Sequence, residues 1–255
     1  MEVAPGVHHF NTDPFNWYVI EDSGRLTLVD AGFPGHYETF VRGIQSLGCA
    51  VQDVEAIIIT HAHADHTGFA ERVRKETGKP LFVHAADLQT VQRSLQLPWK
   101  ALLGNSWRSN IRNMLTHAMW NGVFTMPRIQ TAYAFQDGDE LDVPGRPHVL
   151  HTPGHTPGEV AFYLPDRQVL LSGDTLVTRN LFTGEHGGPQ VTNSPLNDDV
   201  TLAHKSLDRL RELGNVTLLS GHGKPWTGEI AEAIDLCQQP QVREGQAATS
   251  SDGHP

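Results

Sequence analysis

Four apolar runs in this chain end on histidine or aspartate. "AIIIT" (56–60) leads straight into "HAHADHTG", and "HVLHTPGH" delivers His155 through a turn rich in Pro and Gly. "QVLLSGD" ends on Asp174 and "VTLLSGHG" on His222. Short continuous runs of Val, Ile and Leu are the mark of strands buried on both faces, and such strands need covering layers on either side. In an open α/β sheet, side chains placed just past the strand ends meet in the crevice where sites form. Glycines beside them, Gly154, Gly173, Gly221 and Gly223, let the backbone turn sharply there.

Further strand-length runs are "NWYVIE" (16–21), "RLTLVD" (25–30), "PLFVH" (80–84) and "VAFYLP" (160–165). "HYETFVRGIQSLG" (36–48) and "DDVTLAHKSLDRLRELG" (198–214) carry helical periodicity and both close on glycine. The mixed order predicts an α/β architecture with a mixed sheet or two sheets and helices outside. Residues 95–130 lack strand signals, hold three of the five tryptophans and read as a helical insertion or lid. No linker divides the chain, so residues 1–239 are expected to form one domain; the polar, aperiodic stretch 240–255 is expected to be disordered.

Charge narrows the partners. With 19 Lys+Arg against 29 Asp+Glu the formal net charge is −10, which offers no basic stripe to a phosphate backbone or an anionic membrane surface. The expected partner is a small-molecule substrate, with no nucleic acid and no membrane. No apolar run approaches the ~18 residues of a spanning helix and the N-terminus lacks an export signal, so a cytoplasmic protein is expected. Cys49 and Cys237 match neither a disulfide framework nor a CxxC pair.

The strand ends present five imidazoles and two carboxylates: His61, His63, Asp65, His66, His155, Asp174 and His222. This donor set suits Zn²⁺ and can also serve Fe or Mn, whereas a structural zinc site favours thiolates and needs four ligands. Seven donors exceed one tetrahedral ion. Two ions sharing a bridging carboxylate would use all seven and leave room for a bridging water, as in two-metal hydrolytic sites.

"THAHADHTG", "HTPGHTPG", "LLSGDT" and "LLSGHG" together resemble the metallo-β-lactamase superfamily, over roughly residues 6–235. The resemblance implies a four-layer αββα sandwich with the metals at one edge. It assigns His61, His63 and His155 to one ion, Asp65, His66 and His222 to the other, and Asp174 to the bridge. It further implies a dinuclear zinc hydrolase in which a metal-bridging hydroxide attacks a small ester, thioester, lactone or amide, with Asp65 guiding the proton. Asp30, in "LVDAG", also ends a strand and is expected to support the ligands from behind. Trp107, Trp120, Arg179 and His186 are candidates for the substrate pocket.

Within the superfamily, the chain most resembles the glyoxalase II-like and lactonase-like branch. It has the bridging aspartate that class B β-lactamases lack and no candidate Cys ligand, so β-lactamase activity would be weak or secondary. The Arg-Thr-Asp-Phe stretch of persulfide dioxygenases is replaced by "LVTRNLFTG". A mononuclear iron-dependent oxidoreductase on the same fold is the alternative. The short acidic C-terminus lacks the basic residues with which glyoxalase II holds glutathione.

Overall fold

The computed structural model describes residues 1–93 and 96–238, so the stretch 240–255 lies outside the described residues. Seven strands form the first sheet in sequential order: β1 (Glu2–Ala4), β2 (Val7–Thr12), β3 (Phe15–Asp22), β4 (Arg25–Val29), β5 (Val54–Ile58), β6 (Leu81–His84) and β7 (Tyr133–Phe135). The pairings from β1 to β4 are antiparallel, and those from β4 to β7 are parallel. The second sheet is built from β8 (His148–His151), β9 (Val160–Leu164), β10 (Val169–Gly173), β13 (Asn215–Ser220) and β14 (Trp226–Glu229), in the order β14-β13-β10-β9-β8. A separate ribbon pairs β11 (Val177–Arg179) with β12 (His186–Gln190).

Strand alternation explains why the runs are apolar throughout. Tyr18, Ile20, Val29 and Ile58 point inward to meet Phe162, Val169, Leu171 and Leu219 of the second sheet. Their neighbours Trp17, Val19, Leu28 and Ile57 point outward, against Phe40 and Ile44 of α1 (Tyr37–Ser46). The same outer layer holds α3 (Ala70–Thr77), whose Val73 joins it, while Ala64 of α2 (Ala64–Thr67) packs with Phe15 and Phe33. Tyr37, Phe40 and Ile44 recur at helical spacing, which gives α1 its single buried stripe. Gly78 ends α3 with φ 69, and its N–H returns to the Arg74 carbonyl at 2.9 Å.

On the far side, Leu170, Val216 and Leu218 face Leu207, Leu210, Ile230 and Ile234. These come from the 3-10 turns that follow α7 (Val200–Ser206) and from α8 (Ile230–Gln238). The result is the expected four-layer αββα sandwich. Burying an aliphatic side chain contributes about 1.5–3 kcal/mol, and a one-residue slip of β5 or β10 would exchange the two faces, so burial fixes register. One expectation changes in detail: the helix read over 198–214 is α7 followed by 3-10 turns over Leu207–Leu213.

The short α4 (Leu88–Val91) precedes the insertion. There α5 (Trp99–Gly104) and α6 (Ser109–Trp120) form the helical layer expected over 95–130. The Gly35 N–H bonds the Asn121 carbonyl at 3.0 Å, and Ala118 and Val123 pack with Phe15 and Phe33, which seats the insertion over the strand ends. Among the described residues no helix is long and apolar enough to cross a membrane.

Candidate metal centre

Every residue of the predicted donor set lies at the same edge of the sandwich. His61 and His63 leave the end of β5, while Asp65 and His66 lie in α2. Asp174 follows β10, His222 follows β13, and His155 comes from the turn between β8 and β9. Gly173 is needed at its place: φ is 51, and a Cβ there would stand 2.4 Å from a Glu159 oxygen and 2.7 Å from Thr60.

His61 Nε2 and His63 Nδ1 stand 3.0 Å apart, and His63 Nδ1 and His155 Nε2 stand 2.9 Å apart. Donors bound at 2.0–2.1 Å to a tetrahedral ion lie about 3.3 Å from each other, so this spacing fits one shared ion. A second group joins Asp65, His66 and His222: His222 Nε2 is 3.4 Å and His66 Nε2 3.8 Å from Asp65 Oδ2. Asp174 lies between the two groups. Its Oδ2 is 3.5 Å from His155 Nε2 and 3.1 Å from His222 Nε2, and its Oδ1 is 3.6 Å from His66 Nε2.

Behind the cluster, the rear nitrogen of four imidazoles faces an oxygen. His66 Nδ1 is 2.8 Å from Asp30 Oδ2, and His222 Nδ1 is 3.0 Å from the Pro14 carbonyl. His155 Nδ1 is 3.3 Å from Asn197 Oδ1, and His61 Nδ1 is 3.2 Å from Thr60 Oγ1. Donation to those oxygens selects the tautomer whose Nε2 lone pair points into the centre, an assignment made from the partners. Asp30 also accepts the Thr60 N–H at 2.8 Å and the Thr60 hydroxyl at 2.9 Å, which carries its support to both His61 and His66.

Electrostatics divides the centre in two. Burial, reinforced by neighbouring imidazoles, pushes His61 well below its ordinary value and His155 to about 3. Burial also lowers His63, against the pull of Asp65 and Asp174. On the other side burial opposes charge, but Asp30, Asp65 and Asp174 outweigh it and raise His66 to about 10. His222 is raised against burial by Asp174. Burial alone would raise Asp174, yet His222, His66 and His155 hold its carboxyl below the usual range.

Neutral imidazoles on one side and carboxylates calling for positive charge on the other are what a cation-binding centre requires. The buried Asp174 Oδ1 finds no hydrogen-bond partner among the described residues, so it retains a lone pair for an ion. The residues therefore fit a metal centre.

Two positions in this framework escaped the sequence reading. Asp87, buried after β6, contacts both ligand loops through hydrogen bonds to Ala62 and Thr156. Glu159, directly after "HTPGHTPG", accepts the Asp174 N–H at 3.0 Å and places its other oxygen 3.1 Å from His61 Nδ1. Burial raises the Glu159 carboxyl well above the usual range. Asp87 stands at a strand end, the same signal that marked the ligands, whereas Glu159 was marked only by adjacency.

None of the substrate-pocket candidates lines the pocket at the cluster, and of the four only Arg179 and His186 are paired, across the β11–β12 ribbon. Trp107 and Trp120 are 70% and 85% exposed, and Arg108 covers the Trp107 ring. The Arg179 guanidinium is paired with Asp13, and His186 is exposed on β12 opposite Arg179. The pocket that opens onto the cluster holds about 530 Å³ of empty space, its mouth included, and has an aliphatic lining from other residues.

An αββα sandwich with paired His/Asp clusters at the strand ends defines a class of metal-binding proteins. The chain belongs to the metallo-beta-lactamase superfamily, whose sequence model matches residues 11–222. It is 28% identical over 243 residues to the probable metallo-hydrolase YflN of Bacillus subtilis (strain 168), covering 89% of this chain and 88% of that protein. Among solved structures it is similar to the metallo-beta-lactamase family protein TTHA1429 from Thermus thermophilus, with 26% identity and a TM-score of 0.66, covering 92% of this chain and 79% of that one. It is also similar to TTHA1623, solved in a di-iron-bound form, with 26% identity and a TM-score of 0.59 over 86% of this chain and 93% of that one.

Proposed function

We propose that this metallo-hydrolase family member is a dinuclear, zinc-dependent hydrolase of a small ester, thioester, lactone or amide. The observation that carries this reading is the position of Asp174 between two groups of three donors. His61, His63 and His155 would hold one ion, Asp65, His66 and His222 the other, and Asp174 both. Bound metal would supply Lewis acidity and a hydroxide nucleophile near neutral pH.

The chain's own residues do the rest. Asp30, Thr60, Asn197 and the Pro14 carbonyl hold the ring nitrogens in the productive tautomer. Asp65 is the cluster carboxylate most open to the pocket, with 14% of its side chain exposed against 4% for Asp174. Its carboxylate takes a proton from attacking water and passes it toward the leaving group. The aliphatic pocket wall keeps bulk water away from that exchange. The partner is a small molecule rather than nucleic acid or membrane, and the compartment is the cytoplasm.

The competing reading is a mononuclear iron-dependent oxidoreductase on the same scaffold; the di-iron-bound form of TTHA1623 supports iron as a metal for such a site, not that activity. A panel of lactones, thioesters, β-lactams and phosphodiesters, run on metal-quantified protein, separates the two. Hydrolysis of carbonyl substrates with two ions of zinc per chain is the expected result. Iron with oxygen consumption and no turnover of any carbonyl substrate would overturn it.

A further inference from the structure

The pocket in front of the cluster has a composition that selects its occupant. Leu97, before α5, Leu102, within it, and Met114 and Leu115, on α6, form one wall; Leu181, after β11, and Leu196, before α7, face them. Phe15 and Phe33 close the side next to the cluster. Apart from the cluster itself, no charged side chain lines this space among the described residues. The cations nearest in sequence are committed elsewhere or turned outward. Arg179 is paired with Asp13, Arg108 packs over Trp107 and Phe182, and Lys100, Arg112 and Lys224 are exposed.

A carboxylate or ammonium on the non-reacting part of a substrate would lose its hydration here without gaining a partner, which is strongly unfavourable. An aliphatic chain would instead exchange water for Leu and Met contacts, and Met114 can adapt to chains of different shape. We propose that the pocket binds the aliphatic acyl chain of the substrate, so that the enzyme acts on uncharged medium-chain acyl esters, thioesters or lactones, with α5 and α6 as its main chain-binding wall. This rests on the hydrolase reading above.

Selectivity follows from area. Each methylene taken out of water contributes enough to raise kcat/KM about fourfold, until the pocket is full. The test measures metal-loaded protein against p-nitrophenyl esters from acetate to decanoate. In parallel, 2-alkanones of matched length, which present a carbonyl but cannot be hydrolysed, are titrated by calorimetry. Both kcat/KM and alkanone affinity are expected to rise about fourfold per methylene over the first few homologues. Met114→Lys and Leu115→Lys, each checked for metal content and thermal unfolding, should flatten both slopes, while Leu103→Lys, on the exposed side of α5, should keep them.

A flat or falling profile in both series, or a preference for an ester whose acyl end carries a carboxylate, would overturn the proposal. Equal turnover of all ester lengths with flat alkanone binding would do so while sparing the hydrolase reading. Alkanone affinity that climbs with length and collapses in Met114→Lys, with no ester turned over, would uphold the chain site and overturn the hydrolase.

Discussion

The Asp87 carboxylate accepts the backbone N–H of Ala62 at 3.0 Å. Ala62 lies between His61 and His63, and the same carboxylate takes the Thr156 hydroxyl at 2.9 Å and the Gly158 N–H at 3.1 Å. One buried acid thus ties the loop after β5 to the loop that presents His155. Asp87→Ala leaves three buried donors unpaired, at a cost of about 3 kcal/mol. It also frees His63 and His155 to separate, so metal affinity should fall about 10- to 100-fold. Urea unfolding and competition with a chelator measure the two effects; unchanged metal affinity would reduce Asp87 to a stabilising role alone.

Gly221 supports the other side of the centre. A Cβ there would stand 2.2 Å from Asp174 Oδ1 and 2.6 Å from His66 Cε1. The backbone cannot retreat easily, because the Gly221 N–H bonds the Gly173 carbonyl at 2.7 Å and its carbonyl accepts the Asn16 N–H at 3.0 Å. Gly221→Ala should therefore displace the bridging carboxylate, lowering metal affinity at least about tenfold with about 1–3 kcal/mol lost to overpacking. Gly104→Ala, with nothing within 4 Å and an ordinary φ, is the contrast: it should raise stability by about 0.4–1 kcal/mol. Similar metal affinity in the two variants would refute the steric argument.

What could be read in advance follows from where the determining contacts lie. β3, β5, β10 and β13 were legible because each buries both faces, and the candidate donors stood out because they lie in the segments that follow β5, β8, β10 and β13. β12, "HGGPQ", was not, since its Gly and Pro oppose strand formation and only the pairing with β11 holds it extended. Asp87 is one acid among many in the sequence, and its meaning comes from Ala62 and Thr156, far along the chain. Trp107 and Trp120 stand exposed, and aromatic content alone does not reveal which helix face is covered. The lining aliphatics come from three separated segments, which no local pattern connects.

Asp174 is the residue on which the two-ion reading turns. It lies within 3.5 Å of His155 and 3.1 Å of His222, on opposite sides of the centre. Asp174→Ala removes the shared donor, so metal analysis should find one ion lost per chain. Hydrolytic kcat/KM should drop about 100-fold or more, since neither remaining group is complete. Retention of both ions with unchanged turnover would contradict the bridging assignment.

The pH dependence of stability should carry the mark of His36. Its Nδ1 accepts the Phe33 N–H at 3.1 Å, which places the ring proton on Nε2, facing Thr12 Oγ1 and His117 Nε2, each at 2.8 Å. Protonating Nδ1 would put two donors face to face in a site that is 1% exposed and stacked on Trp17. Burial, with His117 adding to it, lowers His36 to about 3. His117 is lowered by burial too, against the pull of Asp13. The sign follows from linkage: above about pH 6.5 neither folded nor unfolded chain protonates His36, so nothing is lost. As pH falls from there toward 3, the unfolded chain takes up a proton that the folded chain refuses, and stability drops by about 1.4 kcal/mol per pH unit. Urea unfolding of wild type and His36→Gln between about pH 7 and pH 4 should therefore give a wild-type curve steeper by that slope below pH 6.5. Parallel curves would show that His36 titrates normally in the folded protein.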